Sequence, residues 1–388
     1  MFVNKLQMLA DNLRTHNNVS LIPNPYFPEG WFAVCLSKEL KKDQLKRLSY
    51  FSTEFIAIRD ENGEAVVMDA YCPHMGAFLG RKGKVVGGQV VCPFHEWKFN
   101  AQGDCVEVPF CERAPSTARS KLKAYPTIER NGMVMMWRHS SREPYYEIPD
   151  LSELSGKAWT NQICFKFITR GNSMEAKENV CDGSHFVTIH DQPEPTFCEF
   201  NTDGPFATHR VQMGLNLKRL GLSPKVAKFV LKHVGNSDMT TSFYGPGFQN
   251  MHALNPLFEM AEEIHSTPVD EHRSIVWFLT RVSKESAWSP MPWLFLAIVK
   301  AREAKDVMME VPIFAHKKFM DKPLFQKQEM AIPKFRKWYG QFYAEGESGK
   351  PVMRDIAANA PTSKTGRISK LESANGNAAK VQFAATDS

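Results

Sequence analysis

The sequence has no apolar run approaching the roughly 18 residues that a membrane-spanning helix needs. Its longest candidate, MPWLFLAIV at 291–299, stops at nine residues and reads as a buried helix or a pocket wall. The N-terminal stretch lacks a basic start followed by an apolar core and a small-residue cleavage site, so no secretory leader is expected. There is no Gly-x-Gly-x-x-Gly dinucleotide fingerprint, no Cys-x4-Cys-x2-Cys run of the plant ferredoxin kind and no internal repeat. No basic stripe interleaved with aromatics appears either. The net charge of +6 is dispersed among acidic residues, which excludes nucleic acid as an expected partner and describes an ordinary solvated surface. Eight cysteines at irregular spacings in 388 residues read as reduced thiols rather than a disulfide framework. Together these absences point to a cytoplasmic protein. A hydrophobic content of 43% with 23% charged residues suits packed cores, and the length allows two domains.

The texture of the chain changes along its length. Residues 1–21 place Leu6, Leu9 and Leu13 at helical spacing, which predicts an amphipathic segment packing on the body. From 22 to 145 short β-like runs (WFAVCL, EFIAIRD, AVVMDAY, QVVCPF, GMVMMWR) alternate with turn signals such as Asn131-Gly132, predicting an antiparallel β domain. A Pro-bounded linker, PYYEIP at 144–149, leads into 146–344. There the runs 164–169, 209–217, 240–243 and 275–282 predict strands, and 172–189, 224–233, 290–309 and 325–343 predict helices. Strands with helices covering one face make the whole an α+β protein, the second domain an antiparallel sheet under helices. From 345 to 388 the chain turns to Gly, Ser, Asn, Ala and Lys with Phe383 as its one aromatic, so a disordered tail is expected.

Chemistry concentrates at Cys72-Pro-His74 and, 17 residues on, Cys92-Pro-Phe-His95. Each pair offers a thiolate and an imidazole on a turn. One tetrahedral zinc accepts two Cys and two His, but zinc fingers group like with like. Alternating Cys and His instead suits two unlike irons, with Cys72 and Cys92 on one iron of a [2Fe–2S] cluster and His74 and His95 on the other.

A second group lies in NVCDGSHFVTIH. His185 and His190 are separated by five residues, and Asp182 and Asn179 precede His185 by three and six. Residues three apart share a helix face, so Asn179, Asp182 and His185 line up, whereas His190 falls where the helix ends or distorts. Two histidines and a distant carboxylate are the donors of a mononuclear non-haem Fe(II) site. Asp306 and Glu310, one turn apart in AREAKDVMMEVPIFAH, are the candidate third ligands; if both face solvent, Asp270 or Glu271 must serve.

CPHMGA, CPFHEWKF, NVCDGSHFVTIH, FAHK at 314–317 and FRKWYGQFY at 335–343 together resemble the Rieske non-haem iron oxygenases. In particular they are similar to the oxygenase component of 3-ketosteroid 9α-hydroxylase. The resemblance spans about 25–343. It implies hydroxylation of a steroid or similar bulky apolar substrate with O2, and electrons that arrive singly through the cluster from a separate NAD(P)H-dependent reductase, with or without a ferredoxin. It also implies a homotrimer in which Asp182 links His95 of one subunit to His185 or His190 of the next, with Asn179 lining the iron site. Family members place an Asp where the register FAHK puts Glu310 here, which favours Glu310 over Asp306 and departs from the pattern. Oxidative demethylation or desaturation by the same iron is the enzymatic alternative. A Rieske electron carrier or a zinc-stabilised binding protein are the non-enzymatic ones.

Overall fold

The computed structural model describes residues 27–151, 158–171, 173–214, 237–254, 259–285, 292–317, 320 and 323–343. The expected N-terminal helix, the helix at 224–233 and the tail lie outside the described residues. The chain divides into two compact units, Glu29–Asp150 with Val269–Glu271, and Leu151–Pro268 with His272–Ser388 and Met1–Pro28.

The first unit is built from short antiparallel strands because its β-branched and aromatic runs are only a few residues long between turn formers. Gly30–Leu36, Met133–Arg138 and Thr127–Arg130 form one sheet, and Lys46–Tyr50, Thr53–Arg59, Ala65–Asp69 and Ala124–Tyr125 a second. A third comprises Lys84–Val86, Gln89–Val91, Lys98–Phe99 and Cys105–Glu107. Ile56, Ile58, Met68, Leu79, Val90 and Phe99 form their common core. Gly103 is required there. Its φ of +81° lies in the left-handed region, and a Cβ would collide with the Leu122 carbonyl oxygen that the turn brings against it.

In the second unit seven antiparallel strands form one sheet. Their order is Ile163–Arg170, Arg273–Val282, Glu259–Asp270, Phe248–Leu254, Ser237–Tyr244, Phe206–Met213 and Phe197–Asp203. The helix Pro292–His316 packs on Ile163–Arg170 and Arg273–Val282, and Ala331–Tyr339 packs on Phe197–Asp203. Phe200, Phe243, Phe335, Trp338 and Tyr339 form the core at that end. The α+β architecture is therefore as expected, but three elements differ. The segment 172–189 is not one helix: Ser173–Glu178, a 3-10 turn Asn179–Cys181 and Gly183–Thr188 are separated at Asp182, whose backbone is extended (φ −91°, ψ 99°). The last helix is Ala331–Tyr339 flanked by 3-10 turns, shorter than 325–343. The strand Glu259–Asp270 escaped the sequence pattern because it carries Glu259, Glu262, Glu263, His265, Ser266 and Thr267, all buried, where an alternating apolar signal would be sought.

Candidate metal centres and the cavity beside one of them

Cys72 and Cys92 open two loops of the same design. Gly76 N–H donates to the Cys72 carbonyl (2.9 Å) and Cys72 N–H to Ala77 (2.9 Å); Glu96 N–H donates to the Cys92 carbonyl (3.1 Å) and Cys92 N–H to Trp97 (2.9 Å). Each loop reverses at a residue of positive φ, Gly76 at 71° and Glu96 at 58°. The repeated turn buries both cysteines and carries the histidines outward, His74 exposed and His95 half-buried. Their rings lie 4.8 Å apart, and His74 stacks on Trp97 at 4.5 Å with an 8° tilt. Burial first, then the neighbouring Cys92 thiol, pushes the Cys72 thiol up to about 11, so a metal must displace its proton. Buried sulfurs beneath outward imidazoles fit a two-iron unit with one sulfur-ligated and one nitrogen-ligated iron.

The second group draws on two distant segments. Asp182 ends one helical stretch and caps the next, its Oδ1 accepting from the N–H groups of Ser184 (2.9 Å) and His185 (3.2 Å). His185 therefore sits in the first turn, where its Nδ1 donates to the Asp182 carbonyl at 2.6 Å. That bond leaves Nε2 as the atom that could ligate a metal. His190 follows the end of the same short helix. Its Nε2 lies 2.6 Å from Glu310 Oε1, and His185 Nε2 lies 3.5 Å from that same oxygen. The three donor atoms fall within 4.8 Å of one another, a convergent set with both histidines buried and Glu310 partly so, which fits a divalent cation. Asp306 stands behind, 3.5 Å from His190 Nδ1, in the position of a carboxylate that orients a ligating imidazole. Asn179 Nδ2 lies 3.3 Å from His185 Nε2.

Burial opposes charge on this group, yet the partners outweigh it. Asp306 and Glu310 raise His190 to about 9 in the metal-free protein, and His185 and His190 lower Glu310 to about 2. An ion cluster fixes the distance between the two contributing segments. Arg336 grips Glu178 with Nε at 2.5 Å and Nη2 at 2.8 Å, and Lys317, just past the helix bearing Glu310, reaches Glu178 (3.4 Å) and Glu175 (3.5 Å). Asp270 and Glu271 are not part of the convergent set.

A cavity of about 300 Å³ lies between helices and sheet and includes His185, His190, Glu310 and Asn179 in its wall. On the sheet side it meets Phe167, Met239, Met251, Ile264, Val276 and Phe278. Of the Met and aromatic residues between 197 and 300, Met213, Met239, Met251, Met260 and Phe278 line it, whereas Phe200 and Phe243 belong to the core. Glu262 on the sheet wall was not singled out by sequence; an acidic residue inside a strand gives no pattern that distinguishes it from a solvated one.

Residues 30–126 match the Rieske [2Fe-2S] domain family, and 136–343 match the 3-ketosteroid 9alpha-hydroxylase C-terminal domain family. The 3-ketosteroid-9-alpha-monooxygenase oxygenase component of Mycolicibacterium smegmatis is 30% identical over 86% of this chain and 87% of its own. Cholesterol 7-desaturase nvd 1 of Ciona intestinalis is 29% identical over 87% of this chain and 73% of its own. Among solved structures, the QL mutant of Pseudomonas putida CBB5 NdmA with caffeine shares the fold, with a TM-score of 0.62 at 18% identity, covering 86% of this chain and 96% of that one. Two domain matches that between them cover almost the whole described chain, and a relative aligned along nearly its full length, place the protein: it belongs to the Rieske non-haem iron monooxygenases, as an oxygenase component with a catalytic domain of the 3-ketosteroid 9α-hydroxylase family.

Proposed function

We propose that the chain is the terminal oxygenase of a multicomponent system that hydroxylates a steroid or a similarly bulky apolar molecule. The observation that carries this reading is the donor set His185, His190 and Glu310 in the wall of a largely apolar cavity. Electrons come from a separate NAD(P)H-dependent reductase, with or without a ferredoxin, because the sequence contains no dinucleotide fingerprint and no second cluster motif.

Cys72, Cys92, His74 and His95 hold the [2Fe–2S] cluster, and His185, His190 and Glu310 hold the mononuclear iron. Iron bound there supplies the O2 chemistry that inserts oxygen into a C–H bond. The protein's own share is positional. The Asp182 carbonyl keeps the His185 proton on Nδ1, Asp306 aims His190, and Glu310 provides an anionic oxygen whose acidity is set by the two imidazoles. His185, His190 and Glu310 would hold the iron from the cavity wall, and the remaining wall is available to a substrate. Phe167, Met251 and Phe278 exclude water and present a hydrocarbon surface. By the resemblance to the family, Asp182 serves also as the link between His95 of one subunit and the iron site of its neighbour in a homotrimer, and Asn179, whose Nδ2 lies 3.3 Å from His185 Nε2, lines the iron site.

The test is turnover of a steroid panel by the anaerobically reconstituted protein with a surrogate reductase, read by mass spectrometry. A gain of one oxygen in a product supports hydroxylation. Loss of two hydrogens supports desaturation instead, a reading favoured by the similarity to the Ciona intestinalis relative. Turnover of no steroid overturns the substrate class.

A further inference from the structure

The cavity wall changes character along the sheet. In the strand order of the seven-stranded sheet, the first two strands, Ile163–Arg170 and Arg273–Val282, supply Phe167 and Phe278. The next four, Glu259–Asp270, Phe248–Leu254, Ser237–Tyr244 and Phe206–Met213, supply Met260, Met251, Met239 and Met213, one from each. The other two phenylalanines of the wall stand on the helices that bear the metal-binding group. Phe186 follows His185, with ring centroids 4.2 Å apart, and Phe314 lies one turn beyond Glu310. The helix carrying Glu310 packs on the two strands that hold Phe167 and Phe278, whose rings are 5.9 Å apart and 13° from parallel. Among the described wall residues, then, every phenylalanine belongs to the end with the metal-binding group, and every methionine to the four strands beyond it.

The two ends also differ in what surrounds these side chains. Met239 and Met260 both pair with Ala253 from opposite sides, and Met213 pairs with Ser237; Ala253 and Ser237 are themselves part of the wall. Small neighbours leave a methionine room to change rotamer. A phenylalanine packed against other rings is a plate of fixed outline. A methionine has three rotatable bonds and a polarisable sulfur, and it refits around what it meets. Surfaces rich in methionine accept partners of different shape for that reason.

We propose that the cavity reads the two ends of its substrate differently: the phenylalanine end grips a flat ring system beside the metal site, and the methionine end accommodates an aliphatic group of variable length. This rests on the reading of the cavity as the substrate site, and it adds which part of the molecule is specified. The substrate class is a flat fused polycycle whose hydrocarbon tail lies remote from the reacting carbon. Phe167 and Phe278 determine the permitted ring shape, and Met213, Met239, Met251 and Met260 determine the latitude in the tail.

The test is calorimetric titration of the iron-loaded holoenzyme with two sets of steroids. The first varies only the tail: androst-4-en-3-one, pregn-4-en-3-one and chol-4-en-3-one carry none, two and five carbons on one ring system. The second varies only ring shape, flat 5α-androstan-3-one against its bent 5β isomer. The wild-type protein is expected to bind each longer tail at least as tightly as the shorter, and the flat isomer about tenfold or more tightly than the bent one. Replacing Met239, Met251 and Met260 together by leucine keeps volume and apolarity but stiffens the wall. That variant is expected to weaken the five-carbon tail about tenfold relative to no tail, with the flat-to-bent ratio unchanged. Phe278→Met is expected to do the reverse, bringing the two isomers within about threefold and leaving the tail series as it was. Wild-type affinity that falls as the tail grows overturns the proposal, as does equal binding of the isomers, or a tail series that the leucine variant does not alter. If the triple variant fails to fold, Met239→Leu and Met260→Leu decide singly, each expected to weaken the five-carbon tail about threefold; no change in either counts against the proposal. 2-Ethylnaphthalene and 2-pentylnaphthalene separate the two readings. Binding of both, the pentyl compound at least as tightly, with no steroid bound, upholds the division of the wall and removes the steroid class. Binding of none of the probes overturns both.

Discussion

The two metal-ligand groups are built in opposite ways. In the first, four candidate ligands come from 24 residues, on two loops that repeat one backbone turn; the turn alone separates buried sulfur from outward imidazole. In the second, His190 and Glu310 meet across 120 residues, and their distance depends on the Glu175, Glu178, Lys317 and Arg336 ion cluster as well as on both helices. A local cradle is robust to changes elsewhere in the fold. A long-range one registers every shift of its supports.

The sharpest way to break this contrast is to remove one ligand from each centre. Cys92→Ser is expected to abolish the visible colour and the reduced-state EPR signal, and to lower reductase-driven turnover by at least about a thousandfold. His185→Ala is expected to lower turnover as much while keeping colour and EPR signal, with iron falling from about three to about two per chain. A colourless His185→Ala protein would show that the two centres are not independent.

Next in size is the comparison of the carboxylates. Glu310→Gln should remove most mononuclear iron, because it deletes the anionic ligand. Asp306→Asn should retain the site but weaken iron affinity by about 10–100-fold, as loss of an orienting carboxylate does. Iron titrations of the two variants read this directly, and the reverse ranking would make Asp306 the ligand.

The smallest effect concerns the support beneath the second centre. Lys177 is fully buried in the helix preceding Asn179, and burial lowers its pKa to about 7. Unfolded, it titrates near 10.5. Between these values the unfolded chain holds the proton and the folded one does not, so folding stability rises with pH across the window, by about 1.4 kcal/mol per unit. Below pH 7 both states are charged and the slope vanishes. Lys177→Met should flatten that rise in denaturant midpoints measured between pH 7 and 9, leaving the cluster spectrum unchanged.

The same contrast explains what was legible in the sequence. Cys72, His74, Cys92 and His95 could be singled out as candidate ligands because local spacing is their geometry. The antiparallel β texture and the α+β order could be read for the same reason, since short apolar runs between turn formers pair locally. His185 and His190 were visible as a pair, but their helix was drawn too long, because nothing in NVCDGSHF announces that Asp182 abandons helical backbone to cap a new segment. The pair Asp306 and Glu310 stood undecided on spacing alone, one turn apart on one helix; the register of FAHK favoured Glu310, and the approach of His190 Nε2 to Glu310 Oε1 at 2.6 Å, with Asp306 Oδ1 3.5 Å from Nδ1, agrees with it. Glu262 was invisible. Its meaning lies in the strand's neighbours and in the space beyond, and the run EMAEEIHSTPVD resembles a solvated segment more than a sheet interior.

One peptide unit has an outsized consequence. The group that holds the His185 ring is the main-chain oxygen of residue 182, which neither acid nor side-chain replacement can remove. Replacing Asp182 therefore alters the start of the helix and whatever its carboxylate reaches, yet leaves that acceptor in place. Loss of turnover with iron still bound, in an Asp182→Asn or Asp182→Ala protein, would consequently support the role proposed for the Asp182 carboxylate rather than report loss of the acceptor that holds the ring.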